Sequence, residues 1–179
     1  MSEIREIKTP LTNEVILSLK CGEMVHITGE IYTARDLAHG RMMKMLENGE
    51  KMPFKFEGNI VFYAGPSPAP PGKCCGSIGP TTAGRMDLYA PTLIKNGLKA
   101  MMGKGLRAEP VKDAIIAHKG IYFGAIGGTA ALMSKCIINV EIIAFDDLGT
   151  EAIRRLTVEK FPAIVALDSA GNCVYSNTL

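Results

Sequence analysis

The chain has 179 residues, of which 47% are hydrophobic and 21% charged, with 20 basic side chains against 18 acidic. That length suits one domain, residues 1–179, able to bury ~70% of its unfolded surface without a disulfide framework or structural metal. Near-neutral charge, no tryptophan, and only 6 Phe and 5 Tyr exclude a disordered chain, a coiled coil and a surface built to bind nucleic acid. Residues 1–8 alternate charge with isoleucine and lack an apolar signal core. No apolar run reaches the ~20 residues that span a bilayer, so no membrane contact is expected. Cys21, Cys74, Cys75, Cys136 and Cys173 form no CxxC pair, and His26, His39 and His118 are scattered. The expectation is a cytoplasmic protein with free thiols, binding neither zinc nor an iron–sulfur cluster through this chain alone.

In chain order, residues 14–19 read as a short strand or turn-bounded segment, and 23–33 as a β-branched strand bending at Gly29. Asp36 opens a helix that closes at Gly49, with Leu37, Met42, Met43, Met45 and Leu46 at helical spacing. Residues 59–64 (NIVFYA) are a compact apolar run, as in a buried strand. The next segment, 65–84, holds five prolines and five glycines. It reads either as a low-complexity linker or as a functional loop. Its place after a buried strand favours function, because ligand sites of α/β proteins lie there. Beyond it the pattern predicts helices over 85–96, 110–118, 129–136 and 149–156. Strands are predicted over 98–102, 121–125, 137–144 (buried) and 163–167, the last turning into 173–175. Strands alternating with helices imply an α/β fold with a mainly parallel central sheet and some antiparallel hairpin.

The strongest local constellation is GPTTAGRMD, residues 79–87. Its glycines permit close backbone approach, its threonines can cap a helix or face an anion, and Arg85 offers a planar fork for carboxylate or phosphate. An ordinary helix cap with solvated Arg85 is the alternative, and Asp87 reads as a dipole partner in the first turn. Arg35, in TARD (33–36), sits at a strand-to-helix junction; Lys104 lies between Gly103 and Gly105 and reads locally as a tight turn. GAIGGT (124–129) lacks nucleotide-binding spacing, which favours close packing instead.

Together these segments resemble one family. GEIYTARDLAHGR (29–41), VFYAGP (61–66), GSIGPTTAGRMD (76–87), GKG (103–105) and the stretch 147–168 are similar to the β subunit, or C-terminal domain, of class I iron–sulfur hydro-lyases. These are class I fumarate hydratase and L-tartrate dehydratase. The resemblance implies a single swivelling β/β/α domain that closes over a larger α subunit. It implies a [4Fe-4S] cluster bound by that α subunit, not by this chain, with one open iron acting as a Lewis acid. It places the substrate-binding residues at Arg35, Thr81, Arg85 and Lys104, with Thr81 and Arg85 also catalytic.

The implied protein is the β subunit of a two-subunit fumarate hydratase, inactive without its α subunit, in a hetero-oligomer such as α2β2. The β subunit of L-tartrate dehydratase is the close alternative, and a non-catalytic dicarboxylate-binding module the distant one. Apolar Ile78 and Ala83 beside Thr81 tilt the expectation toward malate and fumarate, since tartrate carries one more hydroxyl needing a partner.

Overall fold

The computed structural model describes residues 4–125 and 130–175. Seven strands and five α-helices alternate unevenly: β1 Arg5–Lys8, α1 Asn13–Ser18, β2 Met24–Thr33, α2 Asp36–Glu47, β3 Ile60–Phe62, α3 Ala90–Lys95, β4 Ala100–Gly103, α4 Glu109–His118, β5 Ile121–Gly124, α5 Ala130–Lys135, β6 Ile137–Ala144 and β7 Ile153–Leu167. Two 3₁₀ turns, Ala83–Met86 and Asp146–Glu151, interrupt the series.

The sheet order is β1-β2-β3-β4-β5-β7-β6, and β2 also pairs with β7. That extra ladder closes β2, β3, β4, β5 and β7 into a five-stranded ring, with β1 and β6 as flanking strands. The β1–β2, β2–β3, β3–β4 and β4–β5 ladders are parallel. The three ladders of β7, to β2, β5 and β6, are antiparallel. The expected α/β fold with a mainly parallel central sheet is thus corrected to a mixed sheet closed as a barrel. The reason is β7. Residues 149–156 do not form the predicted helix; a 15-residue strand begins at Ile153 and absorbs the short strand expected at 163–167. Its first ten residues carry two consecutive unburied pairs, Arg154-Arg155 and Glu159-Lys160, which break the alternation. Lys160 takes a positive φ of 50° there. The resulting spacing of Ile153 and Leu156 mimics a helix turn in the sequence.

Three further expectations change. Residues 13–18 are a helix, capped by Thr12 Oγ1, which accepts from the Val15 amide at 3.2 Å. The 85–96 helix divides into a 3₁₀ turn and α3, which starts next to Pro91. Strand β6 is not buried: it borders only β7, and Ile138 and Ile142 are exposed. The predicted GAIGGT turn falls largely on 126–129, outside the described residues.

Period-2 alternation sorts the strands' side chains into two apolar clusters. Ile27, Ile31, Ile60, Phe62, Met102, Phe123, Phe161 and Val165 fill one, with Ile16 and Leu19 of α1 packed against them. Val61, Tyr63, Met101 and Tyr122 point the other way, under Ala38 and Met42 of α2, Leu93 of α3 and Val111 of α4. Among the described residues no helix is long and apolar enough to cross a membrane.

Helix α2 buries one polar side chain, His39. Its ring meets Tyr63 edge-on, 5.3 Å between centroids, and lies 5.8 Å from Tyr89. Nδ1 sits 2.8 Å from the Arg35 carbonyl, which fixes it as the protonated nitrogen of the neutral ring. Burial lowers the pKa from 6.5 to about 4, against the opposing pull of that carbonyl.

Two outcomes test this packing. Phe161 faces Ile27 in the β2–β7 register and packs edge-on against Phe62, 5.6 Å away. Phe161→Ala therefore lowers the unfolding free energy by about 3–5 kcal/mol in urea titration. For His39, the unfolded chain binds the extra proton between pH 6.5 and about 4, so stability is present above that window and is lost as pH falls through it. Urea titrations at successive pH values give a slope steeper in wild type than in His39→Gln, by on the order of 1 kcal/mol per pH unit. Equal slopes would show that the ring protonates freely in the fold.

Candidate functional site

Parallel strands β2, β3 and β4 end side by side, and their ends carry the predicted residues. The Ala34 amide donates to Phe62 O at 3.1 Å, and the Tyr63 amide to Met102 O at 2.8 Å, extending both ladders past the strands. Arg35 then leaves β2 as the extended residue that precedes α2. Lys104 follows the last residue of β4. Thr81 arrives from the long loop. Its amide donates to Tyr63 O at 2.6 Å, its carbonyl accepts from the Lys104 amide at 3.2 Å, and the Ala83 amide donates to Lys104 O at 2.8 Å. A short rung of extended chain thereby ties Thr81 between β3 and β4, and the 3₁₀ turn after it raises Arg85.

Arg85 crosses to Asp36, the residue after Arg35. Nε and Nη2 donate to the two carboxylate oxygens at 3.1 and 2.7 Å. That side-on fork leaves Nη1 unused, and half of the side chain's surface remains exposed. Arg35 is held more loosely: Nη2 lies 3.8 Å from Glu151, and its buried Nε has no partner. The guanidinium therefore has donors left over. Gly65, at the end of β3, makes room for it; a Cβ there would lie 3.3 Å from Arg35 Cδ and 2.5 Å from Thr150 O. Lys104 is exposed and makes no ion pair among the described residues. Arg35, Thr81, Arg85 and Lys104 are thus brought to one end of the barrel, where three cations meet two carboxylates, Asp36 and Glu151. The balance is one positive charge beside a hydroxyl, a setting suited to a small anion with more than one carboxylate.

The loop 65–84 is built rather than loose. The Ser67 amide donates to Ser77 O at 3.0 Å, and the Gly76 amide to Ser67 O at 3.2 Å, closing a lariat. Cys75 and Ile78 anchor it in the core, and the Cys74 thiol donates to Ile137 O at 3.3 Å. None of the five cysteines, all among the described residues, forms a disulfide. Among the described residues no three His, Cys, Asp or Glu side chains gather to hold a metal ion. Ile78 and Ala83, expected as an apolar wall beside Thr81, are both fully buried in the core, so they present no side chain to a ligand.

Sequence reading missed the carboxylates. Asp36 is the last letter of TARD, and its position next to Arg35 was the available signal. Glu151 lies in a 3₁₀ turn where the sequence pattern predicts an α-helix. It accepts the Leu37 amide at 2.8 Å, capping α2 from outside because Arg35 at the cap position provides no acceptor. Arg41 fastens the same turn through a fork to Asp147, both distances 2.7 Å. Arg154 braces it from β7, donating to the carbonyls of Gly149, Thr150 and Ala152 at 2.7, 3.1 and 3.2 Å.

Comparison with known proteins follows the same residues. The chain is 39% identical over 178 residues to fumarate hydratase 2 of Leishmania major, covering 97% of this chain and 31% of that protein. It is 41% identical over 148 residues to the aerobic class I fumarate hydratase of Escherichia coli K12, covering 82% of this chain and 27% of that one. This chain therefore spans about a third or less of those enzymes. A Methanocaldococcus jannaschii protein named "Putative L(+)-tartrate dehydratase subunit beta" is 39% identical over 171 residues, 92% of this chain and 88% of that one. The family described as Fumarase C-terminus matches residues 2–178. With its motifs gathered at one end of the barrel and the match running almost end to end, the chain belongs to the Fumarase C-terminus family, shared by class I fumarate hydratases and tartrate dehydratase β subunits.

Proposed function

We propose that the chain is the β subunit of a two-subunit fumarate hydratase that interconverts fumarate and L-malate. The observation that carries the reading is the convergence of Arg35, Thr81, Arg85 and Lys104 at the strand ends, with one net positive charge. The separate-subunit arrangement is supported by the similarity to a β subunit of nearly the same length. The partner α subunit carries the [4Fe-4S] cluster, in a hetero-oligomer such as α2β2. Five cysteines without a disulfide among them suit a reducing cytoplasm.

In this reading the chain's own residues bind and orient the diacid. Arg35 and Lys104 neutralise carboxylate charge and hold the plane of the carbon chain. Arg85, already oriented by Asp36, offers Nη1 to the carboxylate next to the carbon that exchanges a proton. When that carbon loses its proton, charge moves into the carboxylate and makes an aci-carboxylate dianion. A donor aimed there gains strength only as that charge develops, which is how binding becomes rate. A threonine hydroxyl is a poor base by itself, so Thr81 passes a proton between groups rather than generating a strong base. The cluster on the partner supplies a Lewis acid for the hydroxyl end.

The β subunit of an L-tartrate dehydratase is the second reading, favoured by the same relative. Carboxylate-binding residues serve both diacids equally, and Ile78 and Ala83, being buried, do not separate them.

The purified single chain is expected to be colourless and inactive on fumarate. Co-expression with its α subunit and anaerobic reconstitution of the cluster restores turnover; robust hydration by the single chain without iron would falsify the reading. Side-by-side kcat/KM values for L-malate and L-tartrate then assign the diacid, and a larger value for tartrate selects the second reading. Arg85→Lys keeps the charge but loses the fork. It lowers kcat and kcat/KM together, by about 10²-fold, with Tm nearly unchanged. A lowered Tm with near-normal kcat in the folded fraction would instead mark Arg85 as a structural residue.

A further inference from the structure

Beneath the site lies a charge pair that the proposed chemistry does not use. Arg107 is 4% exposed. Its Nε donates to Asp87 Oδ1 at 2.7 Å, and Nη2 lies 3.4 Å from the Tyr63 hydroxyl. The guanidinium carbon sits 5.3 Å from the Tyr63 ring centroid and 4.9 Å from that of Tyr122. Asp87 Oδ2 accepts the Ala108 amide at 2.6 Å, at the start of α4. Burial opposes the charge on Arg107, yet Tyr63, Asp87 and Tyr122 outweigh it and raise its pKa.

Each predicted site residue hangs close to this hub. Asp87 is two residues after Arg85, and Arg107 three after Lys104. Tyr63 accepts the Thr81 amide through its carbonyl. The Tyr122 hydroxyl donates to Gly105 O at 3.0 Å, next to Lys104. Tyr63 also backs His39, whose ring holds the Arg35 carbonyl. Stability is a poor reason for such a pair, because a buried ion pair replaced by apolar groups of similar volume often loses nothing. Geometry supplies a better one. The turn carrying Arg85 and the loop carrying Lys104 are joined by backbone bonds at Thr81, Ala83 and Lys104. Those bonds hold only the start of the turn, at Ala83. The contact of Asp87 with Arg107 and Ala108 is a second join, and two joins fix an orientation.

We propose that the buried Asp87–Arg107 pair is a positioning device, which sets the turn bearing Arg85 against the loop bearing Lys104 so that both cations address one diacid. This rests on the proposed dicarboxylate site, and the test separates the two. In the double variant Asp87→Asn/Arg107→Met, the chain is expected to fold with a Tm close to wild type. Amide exchange on the chain speeds up about tenfold or more over residues 84–88 and 105–108, while 100–103 in β4 stays protected. In the assembly with the α subunit, kcat/KM for malate drops about 10²-fold, as misplacement of a binding group by an ångström does. Should the double variant fail to fold, Arg107→Lys serves in its place. It keeps a charge opposite Asp87 and shows a smaller rise in exchange over the same two segments. Unchanged exchange in a folded variant overturns the proposal, whatever happens to turnover. A wild-type assembly that turns over no diacid overturns the dicarboxylate site instead, and leaves the exchange result to decide the positioning role.

Discussion

Everything at the working end of this molecule depends on β7 pairing on both sides. It runs antiparallel to β5 along one edge and to β2 along the other. Without that strand, β2 to β5 would form a small parallel sheet with two open edges and one uncovered face. Closure gives the apolar cluster behind Ile27, Phe62, Phe123 and Phe161 a wall on every side. It also sets the stagger of the strands, and so the spacing of the points where β2 and β4 release Arg35 and Lys104 and where Thr81 is tied beside the end of β3. Parallel strands end together at one rim, and loops leaving that rim meet each other.

The rim is electrostatically balanced in a particular way. Arginine side chains lose much rotational freedom when they bind. Here that freedom is largely removed beforehand: Asp36 fixes Arg85, and the turn containing Glu151 is itself fixed by Arg41 and Arg154. The carboxylates reduce the net attraction for an anion but raise the precision with which it is held. Lys104, outside these pairs, supplies the surplus charge.

Short apolar runs announced β3, β4 and β5 in the sequence, since strands covered on both faces need no alternation. TARD, GPTTAGRMD and GKG marked the rim, and the structure does bring their basic residues together. What stayed hidden is relational. Asp36 and Arg85 are 49 positions apart, and nothing local to either says that they meet. Only the fold surrounds Arg107 with Tyr63 and Tyr122. Strand β7 was obscured by its charged doublets, Arg154-Arg155 and Glu159-Lys160, which look like the polar face of a helix. Strand β6, a run of isoleucines broken by Asn139 and Glu141, reads as core although it lines an edge. Apolar character near Thr81 likewise described the packing of the loop and not a wall of the site.

The ring also constrains how the chain reaches its native state. Partners in the β2–β7 ladder lie 121 to 140 positions apart, so most of the chain must exist before β2 finds its antiparallel neighbour. Contacts of such long sequence separation slow the folding search. On a ribosome adding ~5–20 residues per second, β2 waits on the order of ten seconds for β7 to emerge. During that interval β1, β3 and α2 can dock locally, while the antiparallel edge of β2 stays open to wrong pairing. The bend at Gly29, with φ of 126°, interrupts that edge. A twisted, interrupted edge is a poor template for a foreign strand, so the irregularity that fits β2 to its late partner also protects it beforehand.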